Sequence, residues 1–66
     1  MADTDVVVYT WDKKHVLLDR PRSFLYLFEL DPPMEAWIAK QYCRIDEEAQ
    51  IVEIPQWKVN EVYGIT

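Results

Sequence analysis

Residues 24–37, FLYLFELDPPMEAW, set nine apolar side chains around two consecutive prolines. How this stretch is read decides the fold. Upstream of the prolines, Phe24, Tyr26, Phe28 and Leu30 share one strand face, and Leu25, Leu27 and Glu29 share the other. Both faces are mostly apolar, which suits a central strand over Ser23 to Leu30. Downstream, Asp31 has the chemistry of a helix N-cap, and Pro32 fits the first helical position, where its missing N–H costs nothing. Pro33 is tolerated in the first turn. Met34, Trp37, Ile38 and Tyr42 then recur at helical spacing, with Gln41 the polar exception. The spacing therefore predicts a strand that stops at Leu30 and a helix that ends near Lys40 or Arg44. The competing reading makes the stretch a functional surface built partly from Trp37.

Working outward, Val6 to Trp11 is a run of β-branched and aromatic residues, VVVYTW, which favours a strand. Residues 12–22, DKKHVLLDRPR, read as a long charged connection in which Val16, Leu17 and Leu18 form a short strand or pack a loop against the core. Tyr42 to Ile45 and Ile51 to Ile54 read as a hairpin around Asp46–Gln50, a turn without glycine. Pro55 followed by Gly64 brackets a short C-terminal helix, against a competing strand that would set Trp57, Val59, Glu61 and Tyr63 on one face. The predicted order is strand, strand, helix, strand, strand, helix. The expected fold class is α+β: one small antiparallel sheet of about four strands, with one central helix and a short C-terminal helix packed on it. Residues 1–66 form a single domain, with residues 1–5 frayed.

The length constrains the chemistry. A domain of 66 residues has a small core, and such domains lean on disulfides, metals, dense packing or partners. Cys43 is the only cysteine, so no disulfide closes within the chain and no cysteine-rich metal site is available. Nine aromatic residues make dense packing plausible. The net charge of −5 disfavours nucleic acid and anionic membrane surfaces as partners. Residues 1–11 lack the basic and long apolar regions of a secretory leader, and no apolar run reaches the ~20 residues of a membrane span. The expected location is the cytoplasm, with the thiol reduced.

Catalytic sets are hard to assemble. His15 and Cys43 are the sole imidazole and the sole thiol, and nothing in the sequence brings them together. Cys43 is expected to pack as a small apolar residue and His15 to be solvated. Asp12, His15 and Asp19 have metal-like spacing, but Lys13, Lys14 and Arg20 beside them oppose a divalent cation. The single glycine excludes phosphate-binding glycine loops. No cofactor and no catalytic residue is expected.

Charge and aromatics point instead to a partner. Four of the seven Lys and Arg residues lie within 13–22: Lys13, Lys14, Arg20 and Arg22. Acidic residues gather at Asp3 and Asp5 and again at Asp46, Glu47, Glu48 and Glu53. This dipolar pattern suits steering onto a larger protein. Trp11 and Trp57 are the tryptophans expected at the surface, so the expected contact residues are Trp11, Lys13, Lys14, Arg20, Arg22 and Trp57. The expected function is a non-enzymatic accessory subunit or regulator of a larger protein, with an acidic mimic of nucleic acid as a variant. The alternative is a small nucleic-acid-binding module using the 13–22 basic residues with Tyr9, Tyr26 and Phe28 as stacking rings. A homodimer that extends a sheet through Val6–Trp11 is compatible with the first reading.

Overall fold

The computed structural model describes residues 5–64. Among these residues six strands form two three-stranded antiparallel sheets, followed by one α-helix. The elements are β1 (Val6–Thr10), β2 (Val16–Asp19), β3 (Ser23–Phe28), β4 (Met34–Ala39), a 3₁₀ turn (Lys40–Tyr42), β5 (Arg44–Asp46), β6 (Ile51–Pro55) and α1 (Gln56–Tyr63). One sheet is the meander β2-β3-β4, and the other has the order β1-β6-β5.

This overturns the expectation of one sheet of about four strands with a central helix. The residues after the two prolines form a strand, not a helix. β4 pairs antiparallel with β3, setting Phe24 opposite Ile38, Tyr26 opposite Ala36 and Phe28 opposite Met34. A helix cap at Asp31 contributes only about 1 kcal/mol. Against it stands a whole ladder: without β4, the β4-facing N–H and C=O groups of the deeply buried β3 would have no partner. The other side of β3 is closed by β2, which lies inside the span read as a charged connection and carries a bulge between Val16 and Leu18. Residues 31–33 make the bend between β3 and β4, with a cis Asp31–Pro32 peptide.

The other elements follow their local signals. The valines of β1 pair with β6, Val6 across from Pro55 and Thr10 across from Ile51. The β5–β6 hairpin turns without glycine because Gln50 itself takes the left-handed conformation, at φ 57°. The Asp46 carboxylate supports the turn by accepting the Ala49 N–H at 3.1 Å. The short C-terminal helix forms as α1 and is closed by Gly64 at φ 77°, a conformation that suits glycine. Residues 1–4 of the segment read as frayed lie outside the described residues, while the Asp5 carbonyl accepts the Gln56 N–H at 2.9 Å.

The core lies between the sheets and under α1. It consists of Phe24, Tyr26 and Phe28 from β3, Ile38 from β4, Val52 and Ile54 from β6, and Val59 from α1. Tyr9 meets Phe28 edge-on at 5.3 Å between centroids, and Trp11 meets Phe24 edge-on at 5.0 Å. Among the described residues one hydrogen bond ties the sheets together directly: the Tyr26 hydroxyl donates to the Thr10 carbonyl at 2.6 Å.

Candidate functional site

The alternation of β4 places Ile38 inward, fully buried, and Trp37 outward, 47% exposed. The 3₁₀ turn that follows presents Tyr42 at 51% exposure, and the first turn of α1 presents Trp57 at 42%. These three rings line one groove of about 400 Å³, together with Ser23, Lys58 and Glu61. Tyr42 and Trp57 stand edge to face, with centroids 5.1 Å apart and planes at 80°. Each large ring offers apolar area with few rotatable bonds, the composition of a binding anchor. The polar rim is balanced, because Lys58 Nζ lies 3.2 Å from Glu61 Oε1. Beyond the groove, Leu18, Leu25 and Trp37 form an apolar row across the outward face of the meander, set by the β2–β3 and β3–β4 registers.

The structure distributes the contact residues named from sequence. Trp57 is in the groove. Trp11 is half-buried against Phe24. Lys13 and Lys14 precede β2 whereas Arg20 and Arg22 follow it, so the basic residues sit at two ends of a strand about 13 Å long. Trp37 and Tyr42 belong to the groove and were not among the contact residues named from sequence. A strand reading of 34–39 would have found Trp37, since it alternates with the buried Ile38. The rings proposed for base stacking are not a free platform: Tyr26 and Phe28 are buried, and Tyr9 packs edge-on against both.

His15 differs from its expected solvated state. Its side chain is only 13% exposed and stacks on Tyr26, with planes 17° apart. Nδ1 lies 2.7 Å from an Asp12 carboxylate oxygen, and Nε2 lies 2.6 Å from a Glu29 carboxylate oxygen. Two acceptors on one ring suit the imidazolium, which alone donates from both nitrogens. The Glu29 hydrogen bond, then that to Asp12, raises the His15 pKa above its ordinary 6.5. The same contacts lower both carboxyl groups below their usual range. Asp19, the third member of the metal-like spacing, is engaged by Lys40 instead. Among the described residues no group of three or more His, Cys, Asp or Glu side chains is arranged to hold a metal.

Cys43 packs against the core, and its thiol donates weakly to the Ala39 carbonyl at 3.6 Å. Burial pushes its pKa up to about 11, which leaves little thiolate at neutral pH. Among the described residues no helix is long and apolar enough to cross a membrane. Comparison of the chain with protein-family models, curated proteins and solved structures gave no significant match.

Proposed function

We propose that the chain is a non-enzymatic interaction module that docks on a larger protein through the groove of Trp37, Tyr42 and Trp57. The observation that carries this reading is the convergence of three exposed aromatic rings on one groove. Such rings dominate binding energy at protein interfaces. The chain's net charge of −5 favours a partner whose docking surface is basic, and steers the encounter at low salt.

The test begins with the partner isolated on the immobilised chain, and then measures affinity between the two purified proteins. Trp37→Ala and Trp57→Ala are each expected to weaken binding on the order of 30-fold, as for a hot-spot aromatic worth about 2 kcal/mol. Their unfolding midpoints should stay near that of the parent. Lys13→Ala and Arg22→Ala change mainly the association rate. Unchanged affinity in both tryptophan variants overturns the groove as the docking site.

A further inference from the structure

We infer that the groove of Trp37, Tyr42 and Trp57 holds a proline-rich segment in the polyproline II conformation, flanked by an arginine. Resting on the docking proposed above, this names the chemistry that the partner presents there. The groove rings differ from the core rings in one respect. Each carries a hydrogen-bond donor at its tip, an indole N–H on Trp37 and Trp57 and a hydroxyl on Tyr42. The core rings are Phe24, Phe28 and Tyr26, whose hydroxyl is already bonded to the Thr10 carbonyl. Among the described residues no hydrogen bond of the chain engages the three groove donors. An occupant therefore has to bring both flat apolar groups and free acceptors.

The common modes of peptide recognition do not suit this groove equally. A strand added along β4 is blocked where it would reach the groove. β4 runs straight into the 3₁₀ turn, and the Cys43 thiol donates to the Ala39 carbonyl at 3.6 Å. A docked helix keeps its carbonyls in its own ladder, and would bury the ring donors without a partner. An acidic or phosphorylated segment needs a cluster of arginines. The groove offers only Lys58, already paired with Glu61, on a chain of net charge −5.

A polyproline II segment meets each demand. It has no internal hydrogen bonds, so its carbonyls are free to accept from the indole and hydroxyl tips. Its pyrrolidine rings are apolar, and its conformation is set before binding, which lowers the entropy cost of docking. Tyr42 and Trp57 stand at 80° with centroids 5.1 Å apart, so they wall a corner instead of a flat platform. A proline ring fills such a corner from two sides. At the rim, the Glu61 side chain is 63% exposed, and its pair with Lys58 spans only three residues of α1. An exposed pair of this kind contributes little. An arginine beside the prolines can take the carboxylate in a bidentate grip that Lys58 cannot match. The overall negative charge of the chain favours the same basic flank.

The test titrates the full isotope-labelled chain with the blocked peptide Arg-Pro-Pro-Pro-Pro-Pro-Pro and follows its indole N–H signals by NMR. Those of Trp37 and Trp57 should move as the peptide is added, while that of Trp11, half-buried against Phe24 outside the groove, stays still. The same peptide with alanine at every proline keeps the charge and should bind at least about tenfold more weakly. Glu61→Gln should weaken the arginine peptide about threefold and leave an all-proline peptide unchanged. Unmoved Trp37 and Trp57 signals overturn the inference, as does equal binding of the alanine peptide. So does a peptide bearing trimethyl-lysine that moves these signals while the proline peptide does not, because the groove is then a cage for a quaternary ammonium. If the proline peptide fails while Trp57→Ala still weakens the partner, the docking stands and only its chemistry is wrong. A partner indifferent to both tryptophan variants removes the docking itself.

Discussion

Replacing Tyr26 by phenylalanine removes one oxygen atom from a residue that is 2% exposed, and leaves its ring in place among Tyr9, Phe24, Phe28 and His15. What is lost is the 2.6 Å hydrogen bond to the Thr10 carbonyl, the direct polar tie between β3 and β1. A bond of this kind contributes about 0.5–1.5 kcal/mol net. An orphaned buried carbonyl would add a desolvation cost of about 1–3 kcal/mol, which is discounted here because Thr10 is an exposed residue. The expected loss is therefore about 1 kcal/mol. For a domain of this size that corresponds to a fall of about 4–8 °C in Tm. Urea unfolding should show a lower midpoint at an unchanged slope, because the surface exposed on unfolding stays the same. Tyr42→Phe is the control: its ring is 51% exposed, and the change should stay within about 0.5 kcal/mol. The exchange of β1 amides should quicken in Tyr26→Phe more than that of β3 amides. If the two variants are equally stable, the hydroxyl does not join the sheets and the reasoning fails.

The His15 clasp makes stability depend on pH. With its folded pKa raised, the histidine contributes fully below its ordinary 6.5 and loses that contribution as pH rises through the raised value. Asp12 and Glu29, with lowered pKa values, contribute above their ordinary 3.8 and 4.5 and lose it as pH falls through the lowered ones. The clasp is thus strongest between pH 4.5 and 6.5, and Glu29→Gln should lower the imidazole pKa seen by NMR; an unmoved titration would count against the clasp. Gln50→Asn relieves a left-handed glutamine with a residue that tolerates that conformation, and should raise stability by about 0.5 kcal/mol in urea unfolding. Cys43, with its thiol near 11, should react with iodoacetamide at neutral pH about two orders of magnitude more slowly in the folded chain than in urea.

Much of the strand content was legible. The valines of β1, the alternation of β3, the second arm of the hairpin and the proline-to-glycine bracket of α1 are local signals, and those elements lie close to where the signals put them, whereas the first arm, read over Tyr42 to Ile45, is strand only at Arg44–Asp46, with Tyr42 in a 3₁₀ turn. Residues 34–42 were not legible, because MEAWIAKQY satisfies two periods at once. Met34 and Ile38 fall on one face of either a helix or a strand, so burial of Ile38 does not discriminate. The deciding term is the unpaired side of β3, a non-local demand that no window on the sequence contains. The same misreading hid the groove, since a helix hands Trp37 to the core whereas a strand hands it to solvent. The His15 clasp was hidden for a related reason: Glu29 is 14 residues away in sequence, and only the β2–β3 pairing brings it to the imidazole.

The pairing of β1 with β6 joins the first described strand to the last. A nascent chain leaving the ribosome exposes Val6–Thr10 early, yet the strand that pairs with it emerges only some 40 residues later. Until then the three valines have no ladder, and the meander must hold together on its own strands. Folding of this sheet is accordingly governed by a late, long-range closure, which slows it relative to the hairpins. Anything that delays the arrival of Ile51–Pro55 prolongs the time during which β1 is open to another chain.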